Sequence, residues 1–334
     1  MGENSAIEWT DHTFNPWTGC TRVSPGCQNC YAERQANRFE HLGDWGPGAE
    51  RKRTSEANWR KPLAWNRKAE ALGTARDPDW NGTVDGASQR RMRPRVFCAS
   101  MADWLDDEVD PAWLADLLAL VANTPHLNWL LLSKRPQLWE ARMRAALDAA
   151  HREGYGRGYL DQIDLWLEGD PPPNVWVGTT VEDQRRAEER LPHFLSIPAR
   201  VRFLSCEPLL GDVYLPDAHP SQVGTDRGQL KGIHWVIAGG ESGPGARPMH
   251  PAWARSLRDQ CAVAGVPFHF KQWGRWAPHY AGKPESAGPQ AVVIHDGVTD
   301  KGVGGFCKLW PVGKKIGGRL LDERQHDGVP VVRA

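Results

Sequence analysis

Beyond residue 95 the chain alternates short apolar runs with longer stretches whose apolar residues recur at helical spacing. The runs lie at 96–99, 127–132, 175–179, 201–204, 234–238 and 267–270, and they are rich in β-branched and aromatic residues. Such near-continuous runs predict strands covered on both faces, because a strand with one wet face alternates apolar and polar residues instead. Helix signals fall between them. Asp110 and Pro111 precede Trp113, Leu114, Leu117, Leu118 and Val121; Ser133 and Pro136 precede Leu138, Met143 and Leu147; Pro251 opens a helix that Gly265 closes. A more strongly charged helix is predicted over 181–195. Alternation of this kind gives a parallel sheet with helices outside.

Upstream, 14–18 reads as a first short strand and 31–39 as a helix, with a further amphipathic helix over 57–71. The count of seven strands predicts an α/β fold in the form of a complete or partial parallel (β/α) barrel with loop insertions. A doubly wound open sheet is the alternative, since strand order does not show in the pattern. A length of 334 residues suits one such domain, 1–334, with a basic insertion at 41–95 and a C-terminal extension at 277–334. Stretches 154–173, 216–231 and 277–305, rich in Gly, Pro and polar residues, read as loops or lids.

In a parallel barrel the functional face is where the C-terminal ends of the strands meet. The residues there are conspicuously polar: Ser100, Met101 and Asp103; Ser133, Lys134 and Arg135; Thr179, Thr180, Glu182 and Asp183; Ser205, Cys206 and Glu207; Gly239, Gly240, Glu241 and Ser242; Lys271, Gln272 and Trp273. Converging charges are costly unless a polar ligand or one another satisfies them. A large polar cofactor is therefore expected, with Glu207 and Glu241 accepting from an ammonium or from hydroxyls. Lys134 and Arg135 would pair with a carboxylate, and Gly239 and Gly240 would let the ligand approach the backbone.

Charge changes the picture only locally. The 41 basic and 41 acidic residues cancel, so no global field favours nucleic acid. Between Arg51 and Arg95, however, twelve Lys or Arg face five Asp or Glu, with Trp59, Trp65 and Trp80 interleaved. Phosphates and unstacked bases would suit that segment, with Arg90, Arg91, Arg93 and Arg95 as candidate contacts, although a solvated helix and loop explain it more simply. The first residues carry no basic region followed by an apolar core, and no run is long and apolar enough to span a bilayer. No membrane association is expected, and an odd set of seven cysteines predicts a reducing, cytoplasmic setting.

Three of those cysteines, Cys20, Cys27 and Cys30, are crowded at C-x6-C-x2-C spacing in a loop with Pro25 and Gly26. Three thiolates at one point suggest a metal centre: three irons of a 4Fe-4S cluster with the fourth iron open, or zinc completed by another ligand. No second Cys-x-x-Cys or Cys-x-x-His pair exists, and Cys98, Cys206, Cys261 and Cys307 are scattered. His12 is the nearby candidate for a fourth zinc ligand.

The order strand, cysteine loop, helix at the head of a barrel resembles the radical S-adenosylmethionine enzymes, whose usual spacing is C-x3-C-x2-C; the first interval here is longer. The resemblance implies a 4Fe-4S cluster on the three cysteines and S-adenosyl-L-methionine on the open iron. One electron from the cluster, drawn from an external donor, would cleave the sulfonium. A Gly-Gly-Glu segment often contacts the methionine amine early in those barrels. Here Gly239-Gly240-Glu241 falls at the sixth strand, so Ser100 and Asp103 occupy the expected place.

A longer resemblance runs through Ile7-Glu-Trp-Thr-Asp, Asn15-Pro-Trp-Thr-Gly-Cys-Thr-Arg-Val-Ser-Pro-Gly-Cys, Leu132-Ser-Lys-Arg-Pro, Val181-Glu-Asp-Gln, Ser205-Cys-Glu-Pro-Leu-Leu-Gly, Gly239-Gly-Glu-Ser-Gly-Pro-Gly-Ala-Arg-Pro-Met and Phe270-Lys-Gln-Trp-Gly. These motifs are similar to the phage gene product 37/68 family, a domain of unknown function. The function expected is an iron-sulfur enzyme of radical S-adenosylmethionine type acting on nucleic acid, in DNA repair or base modification. The alternatives are a non-catalytic iron-sulfur or zinc protein that binds nucleic acid, and a hydrolase using Glu207 or Glu241 as base.

Overall fold

A computed structural model of the chain describes residues 2–39, 44–73, 92–215, 230–278, 292–295, 306–313 and 317–330. Its centre is a parallel sheet of seven strands: β1 (His12–Thr13), β4 (Arg95–Cys98), β5 (Asn128–Ser133), β6 (Val175–Thr180), β7 (Val201–Cys206), β8 (Trp235–Gly239) and β9 (Phe268–Gln272). They lie side by side in chain order, and the sheet curls into a half-barrel. The expected partial barrel is therefore present. A doubly wound sheet would reverse its strand order, and this one does not.

Each predicted strand from residue 96 onward lies within one or two residues of the observed one. The first strand does not. Residues 12–13, not 14–18, pair in parallel with β4, through His12 beside Val96 and Thr13 beside Phe97. Trp17–Thr18, β2, instead pairs antiparallel with β3 (Lys52–Arg53) in a separate ribbon. Phe14 and Trp17 are both fully buried; the apolar character that suggested a strand serves the core.

The helices follow their start signals. In α4 (Pro111–Ala122) the Asp110 carboxylate accepts from the Ala112 N–H at 2.9 Å, with Pro111 where no donor is needed. In α7 (Gln184–Ser196) Asp183 caps Arg186 at 2.8 Å. Helix α8 (Pro251–Ala264) ends at Gly265, whose φ of +67° is the left-handed conformation of a helix stop. The other helices are α1 (Tyr31–Arg38), α2 (Glu56–Trp59), α3 (Lys61–Ala71), α5 (Trp139–Arg152) and α6 (Arg157–Leu167). Helix α6 corrects the expectation of a loop at 154–173: Ile163 and Trp166 are buried at its inner face.

Two apolar clusters cover the two faces of the sheet. The larger lies between strands and helices and runs from Phe14 to Leu321. The smaller fills the concave side with Trp9, Phe97, Trp176, Phe203, Trp235 and Ile237. Gly178 is required there, since a Cβ on it would stand 2.3 Å from the Phe203 ring.

The C-terminal extension is more regular than a loop. Strands β10 (Trp276–Pro278), β11 (Val292–His295) and β12 (Phe306–Pro311) form an antiparallel sheet in the order β10-β12-β11. A hairpin of β13 (Leu320–Leu321) and β14 (Arg324–Gln325) follows, and Asp322 at its turn pairs with Arg255 and Arg258 of α8 at 2.7 and 2.6 Å. The chain beyond the hairpin runs along β9, where Phe270 N–H donates to the His326 carbonyl and Gly328 N–H to that of Phe268. It thereby covers what would be an open sheet edge. Among the described residues no helix is long and apolar enough to cross a membrane.

Candidate functional site: a cavity walled by the cysteine loop

The C-terminal ends of the strands open into a cavity of about 810 Å³. Cys20, Cys27 and Cys30 all line it, half-buried, on the loop that leads from β2 to α1. Pro25–Cys27 makes one tight helical turn, and Cys30 directly precedes the first residue of α1. Facing them are Ser100, Asp103, Lys134, Arg135, Glu207, Gly240 and Glu241, each expected at a strand end.

The other four cysteines stand apart from that wall. Cys98, Cys206 and Cys261 are buried in the core, where burial pushes each thiol upward, Cys261 to about 12. Cys307 is on β12. His12 does not reach the loop either: its ring stacks on Trp65 of α3, with centroids 4.5 Å apart. Among the described residues no three His, Cys, Asp or Glu side chains surround a single point as ligands of one ion.

Several strand-end charges do not face empty space. They hold the cysteine loop. Glu182, with its side chain fully buried, accepts from the Gly26 N–H at 3.2 Å and from Arg190 at 2.6 Å. Burial works to raise its pKa, but the Arg190 guanidinium prevails and holds the carboxyl below its ordinary value.

Glu241 binds Arg247 through both oxygens, at 2.9 and 2.6 Å, and accepts from Asn29 at 3.0 Å. Arg247 in turn donates to the Pro25 carbonyl at 3.0 Å and to Gln28 at 3.2 Å. The Glu241 carboxyl is likewise held below its usual range, burial being outweighed by Arg247 and Asn29. The segment after β8 thus clamps the loop from one side.

On the other side Arg135 donates to the Thr21 carbonyl at 2.9 Å and reaches Cys20 Sγ at 3.5 Å. Asp103 and Asp106 hold the guanidinium at 3.2 and 3.8 Å. Arg51, itself buried, pairs with Asp106 at 2.9 Å and donates to the Thr21 hydroxyl at 2.9 Å. Burial, reinforced by Asp103, pushes the Cys20 thiol up to about 12, with Arg135 pulling the other way.

Ser100 is tied in by its carbonyl, which accepts from the Tyr31 hydroxyl, and by its Oγ, which accepts from Asn15 Nδ2 at 3.0 Å.

Glu207 is different. It pairs at 2.8 Å with Lys271 and accepts from Gln272 Nε2 at 2.9 Å, both on β9, and among the described residues it makes no hydrogen bond to the cysteine loop. Ser205 and Thr180 also line the cavity.

Thr179 does not join the site, since its hydroxyl donates to the Ser133 carbonyl at 2.9 Å; its neighbour Thr180 does. Gly239 is likewise not among the lining residues, and the small size of Gly240 has a structural reason. A Cβ at Gly240 would stand 2.1 Å from the Trp273 carbonyl oxygen. The two glycines allow backbone to meet backbone where a ligand was expected.

The nucleic-acid candidates fare differently again. Arg90 and Arg91 lie outside the described residues. Arg93 is 8% exposed, and Arg95 is paired with Asp11 at 3.4 Å at the start of β4, away from the C-terminal mouth. Trp59 and Trp65 belong to the core, and Trp80 lies outside the described residues. Burial removes these described side chains from a surface that could stack on bases.

Asn29, Arg51, Asp106, Arg190 and Arg247 are the supporting residues that the strand-end reading missed. Arg247 had a signal, standing six residues after Glu241 inside one continuous motif. Asp106 and Arg190 had none, because an arginine in a charged helix or an acidic residue in a loop carries no mark of burial.

A family described as "Protein of unknown function (DUF5131)" matches residues 4–330, and the chain belongs to it. No curated protein and no solved structure matches the chain.

Proposed function

We propose that this member of the DUF5131 family is an iron-sulfur enzyme of the radical S-adenosylmethionine type, and that the phage gene product 37/68 resemblance of its motifs belongs to the same reading. One observation carries it: three cysteines share one wall of a cavity at the C-terminal mouth of a parallel half-barrel, and no fourth cysteine lines that cavity among the described residues. Three thiols suit a 4Fe-4S cluster that keeps one iron open, whereas a closed structural zinc site takes four protein ligands. With His12 stacked on Trp65, the zinc alternative lacks its expected fourth ligand.

The cluster, when bound, would supply one electron to the sulfonium of S-adenosylmethionine. The chain's own residues would do the rest. Cys20, Cys27 and Cys30 would hold the irons, while Glu182, Arg135 and the Glu241–Arg247 pair keep the loop in one shape. Glu207, with Lys271 and Gln272 beside it, offers acceptors and a cation to an amino-acid or ribose group. A volume of about 810 Å³ falls in the range of cavities that enclose a ligand of that size.

Anaerobic reconstitution with iron and sulfide is the test. The expected result is about four irons per chain, lost in Cys27→Ala, and 5′-deoxyadenosine on reduction in the presence of S-adenosylmethionine. Zinc in place of iron defeats the cluster. A loaded cluster that yields no 5′-deoxyadenosine defeats the catalysis.

A further inference from the structure

The Arg135 guanidinium is the charged group that donates to one of the three sulfurs among the described residues, and its surroundings fix it there. It contacts Cys20 Sγ at 3.5 Å and the carbonyl of the next residue, Thr21, at 2.9 Å. Asp103 and Asp106 brace it from behind, and both side chains are nearly inaccessible, 7% and 0% exposed. Asp106 is shared with Arg51, whose own side chain is 1% exposed. Two buried arginines thus stand against two buried aspartates, and Nη1 of Arg135 donates to Cys20.

An ordinary ion pair on the surface explains little of this. Burying four charges is costly, and the cost is offset only when every donor and acceptor has a partner. Here one of the partners is a thiol, a weak acceptor in its protonated form. The same sulfur as a thiolate is a full anion, and a guanidinium N–H bond to it is then charge-assisted.

We infer that Arg135 is a positioning residue that sets the reduction potential of the cluster through its hydrogen bond to Cys20. This rests on the cluster reading above. Uptake of one electron from a low-potential donor adds one negative charge to the cluster and its thiolates, with no bond made or broken. A fixed cation and an N–H donor at one sulfur stabilise the more negative state, so they raise the potential; hydrogen bonds to cluster sulfurs and local charge are recognised determinants of it. Asp103 and Asp106 act against Arg135 by neutralising it in part. Cys20 is thereby made unlike Cys27 and Cys30, and the electron's arrival is biased by one side of the loop.

The test uses the full chain, reconstituted anaerobically with iron and sulfide and titrated with dithionite while the reduced cluster is followed by electron paramagnetic resonance. Arg135→Gln, which keeps an N–H donor but removes the charge, is expected to shift the midpoint to more negative values at unchanged iron content. Asp103→Asn, which leaves Arg135 in place but less neutralised, is expected to shift it the opposite way. Opposite signs are what a merely structural role would not give. Unchanged midpoints, or shifts of the same sign in both variants, overturn the inference. Should Arg135→Gln fail to retain iron, Asp103→Asn decides alone, an upward shift supporting and any other result overturning it. Absence of iron in the unaltered chain instead overturns the cluster reading, and this inference with it.

Discussion

Two sets of strand-end residues around the cavity use similar side chains for opposite ends. On the loop side Asp103, Arg135, Glu182 and Glu241 are bound to the cysteine loop or to groups that hold it, with distances of 2.6 to 3.5 Å. Glu207, which follows the strand between those leading to Glu182 and Glu241, is bound instead to Lys271 and Gln272, both on β9. Charges at strand ends are usually read as ligand contacts. Here half of them are a support, whereas Glu207, Lys271 and Gln272 are bound to one another and, among the described residues, not to the loop. A loop of eleven residues with little apolar content cannot be fixed by burial, so charged hydrogen bonds do the fixing.

The comparison is broken most directly at Glu182. Its buried carboxylate is the shared partner of the Gly26 N–H and of Arg190, whose side chain is 6% exposed. Glu182→Ala leaves the Arg190 charge buried without its counter-ion, a loss of about 3–5 kcal/mol. Urea unfolding should show it as a lower midpoint at unchanged slope. A loss below about 1 kcal/mol would mean that the loop wall is no better anchored than a surface pair.

The next effect is set by pH. Glu241 has its pKa lowered in the fold, burial being outweighed by Arg247 and Asn29. The unfolded chain therefore takes up the proton first as pH falls. The stabilisation is fully present above the unfolded carboxylate value of about 4.3 and is lost as pH descends through the lower folded value. Glu241→Gln is expected to cost about 1–3 kcal/mol at neutral pH and to flatten the acid limb of the stability curve below about pH 4. An acid limb as steep as that of the unaltered chain would remove Glu241 from the clamp.

How much of this was legible before the fold was known divides along the same line. The strands were readable because parallel strands buried on both faces are runs of apolar residues, and the strand-end position of Glu207, Asp103 and Arg135 followed. That same unbroken character hid the phase of the pleat. In 175–180 nothing in the pattern distinguishes Thr179, bonded to Ser133, from Thr180, which lines the cavity. The first strand was misplaced because Phe14 and Trp17 are apolar for the sake of the helix-side core, while the pairing segment His12–Thr13 is polar and two residues long. Burial of charge was the least visible of all: Arg93 is buried and Arg95 paired with Asp11, yet their neighbours made them resemble a basic surface.

The smallest stability effect belongs to Glu207, and that is what makes it informative. The Glu207–Lys271 pair is mostly buried, with side chains 16% and 14% exposed, and among the described residues no hydrogen bond joins it to the cysteine loop. Glu207→Gln should change stability by about 1 kcal/mol, since its carbonyl oxygen still accepts from Gln272 while the new amide NH2 faces the Lys271 ammonium. What it removes is the negative charge offered to a ligand. Under the proposed function S-adenosylmethionine should bind about tenfold more weakly, close to 1.4 kcal/mol, the scale of one charge-assisted hydrogen bond. Equilibrium dialysis of the iron-loaded variant measures it directly. A large loss of stability with unchanged binding would assign Glu207 to support, as on the loop wall. A loss of binding with stability intact would make Glu207 a ligand contact and leave Glu182 and Glu241 to hold the cysteine loop.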